Sequence, residues 1–198
     1  MNQLKIIGIS GTNGSGKDTV GEMLAERHGY LFISVTNILR EGLKKQGLPT
    51  ERENTRNLST QWRREHGLGV LIDKALDFFN SQKVSKDGSW KLKYKGLAIA
   101  SLRHPGEVDR VHELGGQVVW VDADPKLRYK RIYSRARGTE DQKTYERFLA
   151  EEQAEMQNYG GDETTLNMSG VKAKADIFLE NNGSLEEFKS AIKAALKL

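Results

Sequence analysis

The stretch that decides the fold is Leu4-Lys5-Ile6-Ile7-Gly8-Ile9-Ser10, followed at once by Gly11-Thr12-Asn13-Gly14-Ser15-Gly16-Lys17-Asp18-Thr19. The first seven residues are a short apolar run of the kind that parallel sheets bury on both faces. From Lys17 the apolar positions Val20, Met23 and Leu24 recur with helical spacing until Gly29. Strand, glycine loop and helix in that order are the context in which a GxxxxGK[ST] pattern carries chemistry. Glycines let the backbone wrap closely around phosphate and point successive N–H groups inward, and the helix N-terminus adds a field that favours an anion. Lys17 brings a mobile cation to the β and γ phosphates. Gly11 through Thr19 are therefore expected to hold ATP or another nucleoside triphosphate together with Mg2+. A glycine-rich turn without a ligand is the plainer reading, set aside because the glycines and the lysine match in context. One position departs from the pattern, since Asp18 stands where a hydroxyl would normally meet the metal. A carboxylate is a hard ligand that serves directly or through water, and Thr19 offers a hydroxyl next door, so both are candidate metal contacts.

Outward from the loop, Tyr30 to Ser34 reads as a second strand and Thr36 to Gly47 as a helix. Thr50 and Glu53 have the spacing of a capping box for a helix reaching Gly67. Leu68, Leu71, Ile72, Ala75, Leu76 and Phe79 form the apolar stripe of another. The segment Lys83 to Tyr94 alternates polar and apolar residues around Asp87-Gly88, the signal of a hairpin. Leu97 to Ser101 and Gln117 to Asp122 are buried-strand runs, separated by a helix carrying Val108, Val111 and Leu114. Asp124-Pro125 opens a further helix. Arg131 to Gln142 is strongly polar, contains Gly138 and is expected to be an exposed, mobile lid, followed by a charged helix to about Asn158. After Gly160-Gly161, Asp176 to Glu180 gives the last strand, and Ser184 with Glu187 caps a closing helix. Five strands alternating with helices predict one α/β domain over residues 1–198. It is a three-layer P-loop NTPase fold with a parallel five-stranded sheet, helices on both faces and a small lid. Ligands in such sheets sit at the carboxyl ends of the strands.

Composition narrows the partners. With 37% hydrophobic and 29% charged residues, and no apolar run near the roughly 18 residues of a membrane span, the chain is expected to be soluble, without membrane contact, and cytoplasmic. The absence of cysteine excludes disulfides and thiolate metal sites. A net charge of +4 fits arginines that hold phosphates as well as it fits nucleic acid. Phosphoryl transfer to a phosphorylated acceptor needs cations on both substrates. Arg40, Arg103 and the group Arg131, Arg135 and Arg137 fall where strands and short connections would deliver them to the ligand edge.

On these residues the chain resembles the nucleoside monophosphate kinases and dephospho-CoA kinases, most closely a set of archaeal kinase-like proteins of unassigned function, over nearly its whole length. Ser34-Val35-Thr36-Asn37-Ile38-Leu39-Arg40 is similar to the segment that cradles the acceptor's phosphate, which implies substrate contacts at Ser34, Thr36 and Arg40. Ala98-Ile99-Ala100-Ser101-Leu102-Arg103 is similar to the third strand and the arginine after it, which also holds that phosphate. Val121-Asp122-Ala123-Asp124-Pro125, leading to Arg131 and Arg135, resembles the strand and helix before the lid, whose arginines neutralise the transferred group. Asp176 to Ser184 resembles the final strand and turn beside the adenine. The helices of about 36–80 would then surround a small nucleotide acceptor. Two departures stand out. Ala100-Ser101 occupies the place of an acidic residue that commonly holds magnesium, so Asp18 or Asp122 must compensate. No acidic residue follows Ser34-Val35, where dephospho-CoA kinases usually place their base. A base is dispensable when the acceptor is itself an ionised phosphate, which favours a nucleoside monophosphate over a hydroxyl acceptor.

Two other readings stay open. One is phosphorylation of a hydroxyl, as in dephospho-CoA kinases. The other is a nucleotide-dependent switch or RNA-associated ATPase that would bind nucleic acid through the basic hairpin 83–95, with Lys83, Lys86, Lys91, Lys93, Lys95, Trp90 and Tyr94. A solvated hairpin whose aromatics cover the sheet edge is the simpler account of that segment. Each arginine can likewise be a solvated residue, and His66, His104 and His112 read as structural.

Overall fold

The computed structural model describes residues 4–86, 89–135, 142–156 and 162–198, with backbone alone for 83–86 and 89–92. Strand β1 (Lys5–Gly11) leads through the glycine loop into helix α1 (Lys17–His28), which ends at Gly29 in a left-handed conformation. Strand β2 (Tyr30–Ser34) passes directly into α2 (Val35–Lys45), followed by α3 (Arg52–His66) and α4 (Val70–Ser81). An antiparallel hairpin, β3 (Lys83–Lys86) with β4 (Ser89–Leu92), precedes β5 (Gly96–Ala100) and α5 (Pro105–Glu113). Then come β6 (Gln117–Asp122), α6 (Pro125–Arg135), α7 (Tyr145–Met156), α8 (Met168–Lys174), β7 (Ile177–Glu180) and α9 (Leu185–Leu196).

The main sheet has five parallel strands in the order β2-β5-β1-β6-β7. Successive side chains along each strand leave on opposite faces, so an apolar run supplies two cores at once. Ile6, Leu97, Val118 and Trp120 face Leu43, Leu71, Val111 and Val171, the buried positions of α2, α4, α5 and α8. Ile7, Ile9, Ala98, Val119 and Val121 face Val20 and Leu24 of α1 and Phe188 and Ile192 of α9. Helices on both faces result from that alternation, and each fully buried aliphatic side chain contributes about 1.5–3 kcal/mol to holding the layers. The register pairs Ala100 with both Ile9 and Ser34, so β1, β2 and β5 end side by side. The glycine loop, the start of α2 and the turn to Arg103 leave from those strand ends and are thereby gathered at one edge of the sheet. Among the described residues no helix is long and apolar enough to cross a membrane.

Two local expectations are corrected, and two further details of the chain emerge. Thr50 and Glu53 make no capping box. Helix α3 starts from Glu51 with no side-chain cap, and its entry turn is closed by Asn54 Nδ2 donating to the Pro49 carbonyl at 2.9 Å. Arg131 and Arg135 lie on the last turns of α6, not in an irregular segment. Ile132 is buried there and Tyr129 packs on Tyr145 and Phe148 of α7, with ring centroids 5.3 and 5.8 Å apart. The rest of the expected lid, 136–141 with Arg137, falls outside the described residues, as do the Asp87-Gly88 turn and Gly160-Gly161. Helix α2 starts at Val35, with no connection after β2. Helix α8 is an element that periodicity does not signal. It is short, contains Gly170, and forms because the Asn167 side chain accepts the Gly170 N–H at 2.8 Å while Met168 and Val171 are buried. The Ser184–Glu187 capping box forms as expected.

Candidate active site

The glycine loop is built against the ends of β6 and β7. Gly11 has φ 144°, and a Cβ there would sit 2.0 Å from the Val121 carbonyl oxygen, so only glycine lets the two strand ends approach this closely. Gly16, with φ 95°, is the N-cap of α1, and a Cβ would lie 2.4 Å from Asn181 Nδ2. That amide donates to the Ser15 carbonyl at 2.8 Å and ties the loop to the turn after β7. Thr12 Oγ1 donates to Asp122 Oδ1 at 2.7 Å, and the same oxygen accepts the Ala123 N–H at 2.9 Å. Arg128 Nε and Lys172 Nζ stand 3.6 and 3.7 Å from the Asp122 carboxylate. Asp122 thus braces the loop from behind.

Lys17 Nζ donates to the Thr12 carbonyl at 3.5 Å, a bond to the loop itself. Burial, with Arg103 nearby, pulls its ammonium down to about 8 although Asp18 and Glu155 oppose the shift. A lysine held this way is primed to gain an anionic partner.

Beyond β5 the chain turns sharply. Ser101 adopts φ 70°, a left-handed conformation that costs a non-glycine residue about 1–3 kcal/mol. The turn is clamped from both sides. Ser10 Oγ donates to the Leu102 carbonyl at 2.7 Å, and Glu107 Oε2 accepts the N–H groups of Arg103 and His104 at 2.7 and 3.2 Å. Glu107 is fully buried and pairs with buried Arg63 of α3 at 2.9 Å, which also donates to the Thr164 carbonyl at 3.0 Å. His104 caps α5: its Nδ1 accepts the Gly106 N–H at 3.0 Å, and burial lowers its pKa, Arg63 adding to the effect. It is a structural residue, as expected.

A cavity of about 640 Å³ lies at this edge of the sheet. Its wall brings together Lys17, Asp18, Ser34, Thr36, Arg40, Arg103 and Arg135 of the residues singled out from the sequence. Thr19, Asp122 and Arg131 are not in that wall. Arg131 instead donates from Nη2 to the Asn181 carbonyl at 3.0 Å, beside the loop, and its Nη1 is buried with no partner among the described residues. Burial lowers its pKa. Trp62 packs on α2, where a Cβ on Gly42 would meet its ring at 2.6 Å. Among the described residues no group of three or more His, Asp or Glu side chains is placed to hold a metal by itself. The Asp18 carboxylate in the cavity wall beside Lys17 nevertheless suits magnesium, which commonly takes one or two protein carboxylates and completes its shell with substrate phosphates and water.

Comparison with known proteins agrees with this geometry. A family model described as an AAA domain (AAA_18) matches residues 7–158. A UPF0200 protein of Pyrococcus abyssi is 30% identical over 197 residues, covering 97% of this chain and 95% of its own. The chain belongs to this AAA-domain family and is a UPF0200 protein. The structure of TT1252 from Thermus thermophilus superposes with a TM-score of 0.58 at 22% identity, over 99% of this chain and 98% of that one. Shikimate kinase from Acinetobacter baumannii gives 0.56 at 17% identity, over 98% and 94%. These likenesses place the UPF0200 chain in the P-loop kinase-like fold.

The UPF0200 chain carries functional candidates that sequence reasoning missed. Glu22, Arg52, Arg56, Arg63 and Glu155 all line the cavity. Glu155, on the last turn of α7, is the most engaged of these acids. Its Oε2 accepts from Arg103 Nη1 at 2.9 Å and from Asn13 Nδ2 at 3.3 Å, and its Oε1 from Arg56 Nη2 at 3.1 Å. Burial alone would raise its carboxyl, but Arg103, Arg56 and Arg52 hold it below the usual carboxylate range. Neighbouring Glu152 forms a two-pronged pair with Arg128, one prong at 2.9 Å, which anchors α7 against α6. Nothing local marks these residues, because α7 looks like any solvated charged helix until the fold turns one acid inward.

Proposed function

We propose that this protein is an ATP- and Mg2+-dependent phosphotransferase that moves the γ-phosphate onto a nucleoside monophosphate or a similar phosphate-bearing nucleotide. The observation that supports this best is one cavity whose wall brings Asn13, Lys17 and Asp18 of the glycine loop together with Arg40, Arg103 and Arg135. Two anionic substrates can meet there only if the cavity carries charge to offset both. In this reading residues 11–19 hold the triphosphate and Asp18 meets magnesium, with Thr19 as a further contact. Asp122 keeps the loop in shape. When bound, the metal would screen the β and γ oxygens. Lys17 and Arg135 offset charge on the transferred group, Arg131 works from the α6 side of the loop, and Ser34, Thr36, Arg40 and Arg103 receive the acceptor.

A hydroxyl acceptor is the second reading, and the acids in the wall, Glu22 and Glu155, are what favour it. Glu155, held ionised by arginines, is a weak base for that task. The test is magnesium-dependent ADP production from ATP against nucleoside monophosphates, deoxynucleotides and dephospho-CoA, with Lys17→Ala as the blank. A phosphate-bearing acceptor should stimulate strongly, and Arg40→Ala or Arg103→Ala should raise its KM about tenfold or more while ATP affinity holds. Acceptor dependence unchanged in both variants would remove the assignment of that wall.

A further inference from the structure

We infer that Arg56, Arg103 and Asn13 form a single subsite for the acceptor's phosphate, and that Glu155 fills this subsite in the free protein as a built-in competitor. The inference rests on the phosphotransferase reading and adds to it one binding residue, Arg56, an acceptor-side role for Asn13, and a gate.

Three donors from three separate elements converge on one carboxylate: Asn13 from the glycine loop, Arg103 from the turn after β5 and Arg56 from α3. Arg103 also donates from Nη2 to Asn13 Oδ1 at 3.3 Å, so the donors are tied to each other as well as to the acid. The Glu155 side chain is only 12% exposed, although it lies in the cavity wall. Donors converging on an anion from several directions are what a phosphate subsite presents, and charge-assisted bonds of this kind are short and strong. The subsite adjoins the loop through Asn13, which is where an acceptor phosphate must lie for its oxygen to attack the γ-phosphorus as the bond to the departing diphosphate breaks.

A phosphomonoester carries about −1.5 to −2 charges and three acceptor oxygens, against one charge and two oxygens for Glu155. It can therefore take over all three donors. The displaced acid then faces a like charge without its arginines, so its side chain must swing away from the subsite. The remaining groups near this helix end are the Arg52–Glu151 and Arg128–Glu152 pairs and Lys143, which bonds Glu151. These hold the middle of α7, and on its final turn Met156 packs against the core beside Glu155. Acceptor binding is thereby coupled to the position of the Glu155 side chain, and the affinity of every anion for the subsite is multiplied by the fraction of time that Glu155 leaves it open.

The test uses methyl phosphate, without ATP, measured by calorimetry on the whole chain. Glu155→Gln removes the charge and keeps the shape; Glu155→Asp keeps the charge and withdraws the reach by one methylene. Both should bind methyl phosphate about tenfold more tightly than the parent, as expected when a competitor occupying roughly nine-tenths of the sites is removed. Arg56→Ala and Arg103→Ala should each weaken binding in the Glu155→Asp background. Hydrogen exchange should show methyl phosphate loosening amides near Glu155 in the parent but not in Glu155→Gln. A simple nearby charge would leave Glu155→Asp like the parent, and that result would overturn the inference. Binding that needs Arg103 but ignores residue 155 would overturn it alone. Binding that needs Lys17 and ignores Arg103 would also remove the acceptor wall of the proposed function.

Discussion

The two walls of the cavity are made in opposite ways. The proposed nucleotide side comes from one continuous stretch, Gly11 to Thr19, of which Asn13, Lys17 and Asp18 line the cavity, and its conformation is dictated by glycines with no room for a side chain. The acceptor wall is assembled from α2, α3, the turn after β5 and α7, held by a buried ion pair and occupied by one of the protein's own acids. A contiguous site is stiff because its backbone has few alternatives. A dispersed site is stiff only where something buried pins it.

The largest effect should come from that pin. Glu107→Gln leaves the Arg63 guanidinium buried without its counter-charge and frees the Arg103 turn. Loss of one partner of a fully buried pair costs about 3–5 kcal/mol, to be read from the midpoint of denaturant unfolding. A loss under about 1 kcal/mol would mean that the acceptor wall does not depend on the pair. Next, Lys17→Ala should lower phosphoryl transfer by about 10²–10³-fold, the scale for removing one preorganised charge contact, with the unfolding midpoint unreduced. Two walls built so differently should part in this way, one variant losing stability and the other losing rate.

The smallest effect is a pH dependence belonging to the nucleotide wall alone. Lys17 in the free site gives up its proton at about 8, against 10.5 ordinarily. Affinity for the triphosphate should therefore be flat below about pH 8 and fall as pH rises, to roughly a tenth by pH 9, with proton uptake on binding. The contribution to folding runs the other way. The unfolded chain keeps this proton up to about 10.5, so between 8 and 10.5 the unfolded state binds more protons and stability gains with pH. Titrations of affinity and of unfolding in parallel, with Lys17→Ala removing both trends, check the two signs.

The same contrast explains what could be read from the sequence. The five-stranded sheet was legible because its strands are continuous apolar runs separated by helical periodicity, and the nucleotide loop because its whole mechanism sits in adjacent residues. Arg40 and Arg103, which both line the cavity, were singled out by their places shortly after β2 and β5. Glu155 was not, since only tertiary packing distinguishes it from Glu151 and Glu152 on a helix of solvated acids. Arg63 and Glu107 were hidden for the same reason: two ordinary helix-surface residues, 44 positions apart, become a buried pair only when α3 meets α5. Helix α8 was too short to show a period, and α6 was longer than its polar sequence implied because its buried face is made by Arg128 and Ile132.

If the two walls serve two substrates in one transfer, the fate of the γ-phosphate must show it. The decisive experiment follows γ-labelled ATP through a single turnover with the best acceptor from the panel. Cooperation between the walls predicts label in the acceptor, little in inorganic phosphate, and loss of transfer in Lys17→Ala and in the Arg40→Ala, Arg103→Ala double variant. Label released only as inorganic phosphate, at a rate indifferent to every acceptor, would contradict it.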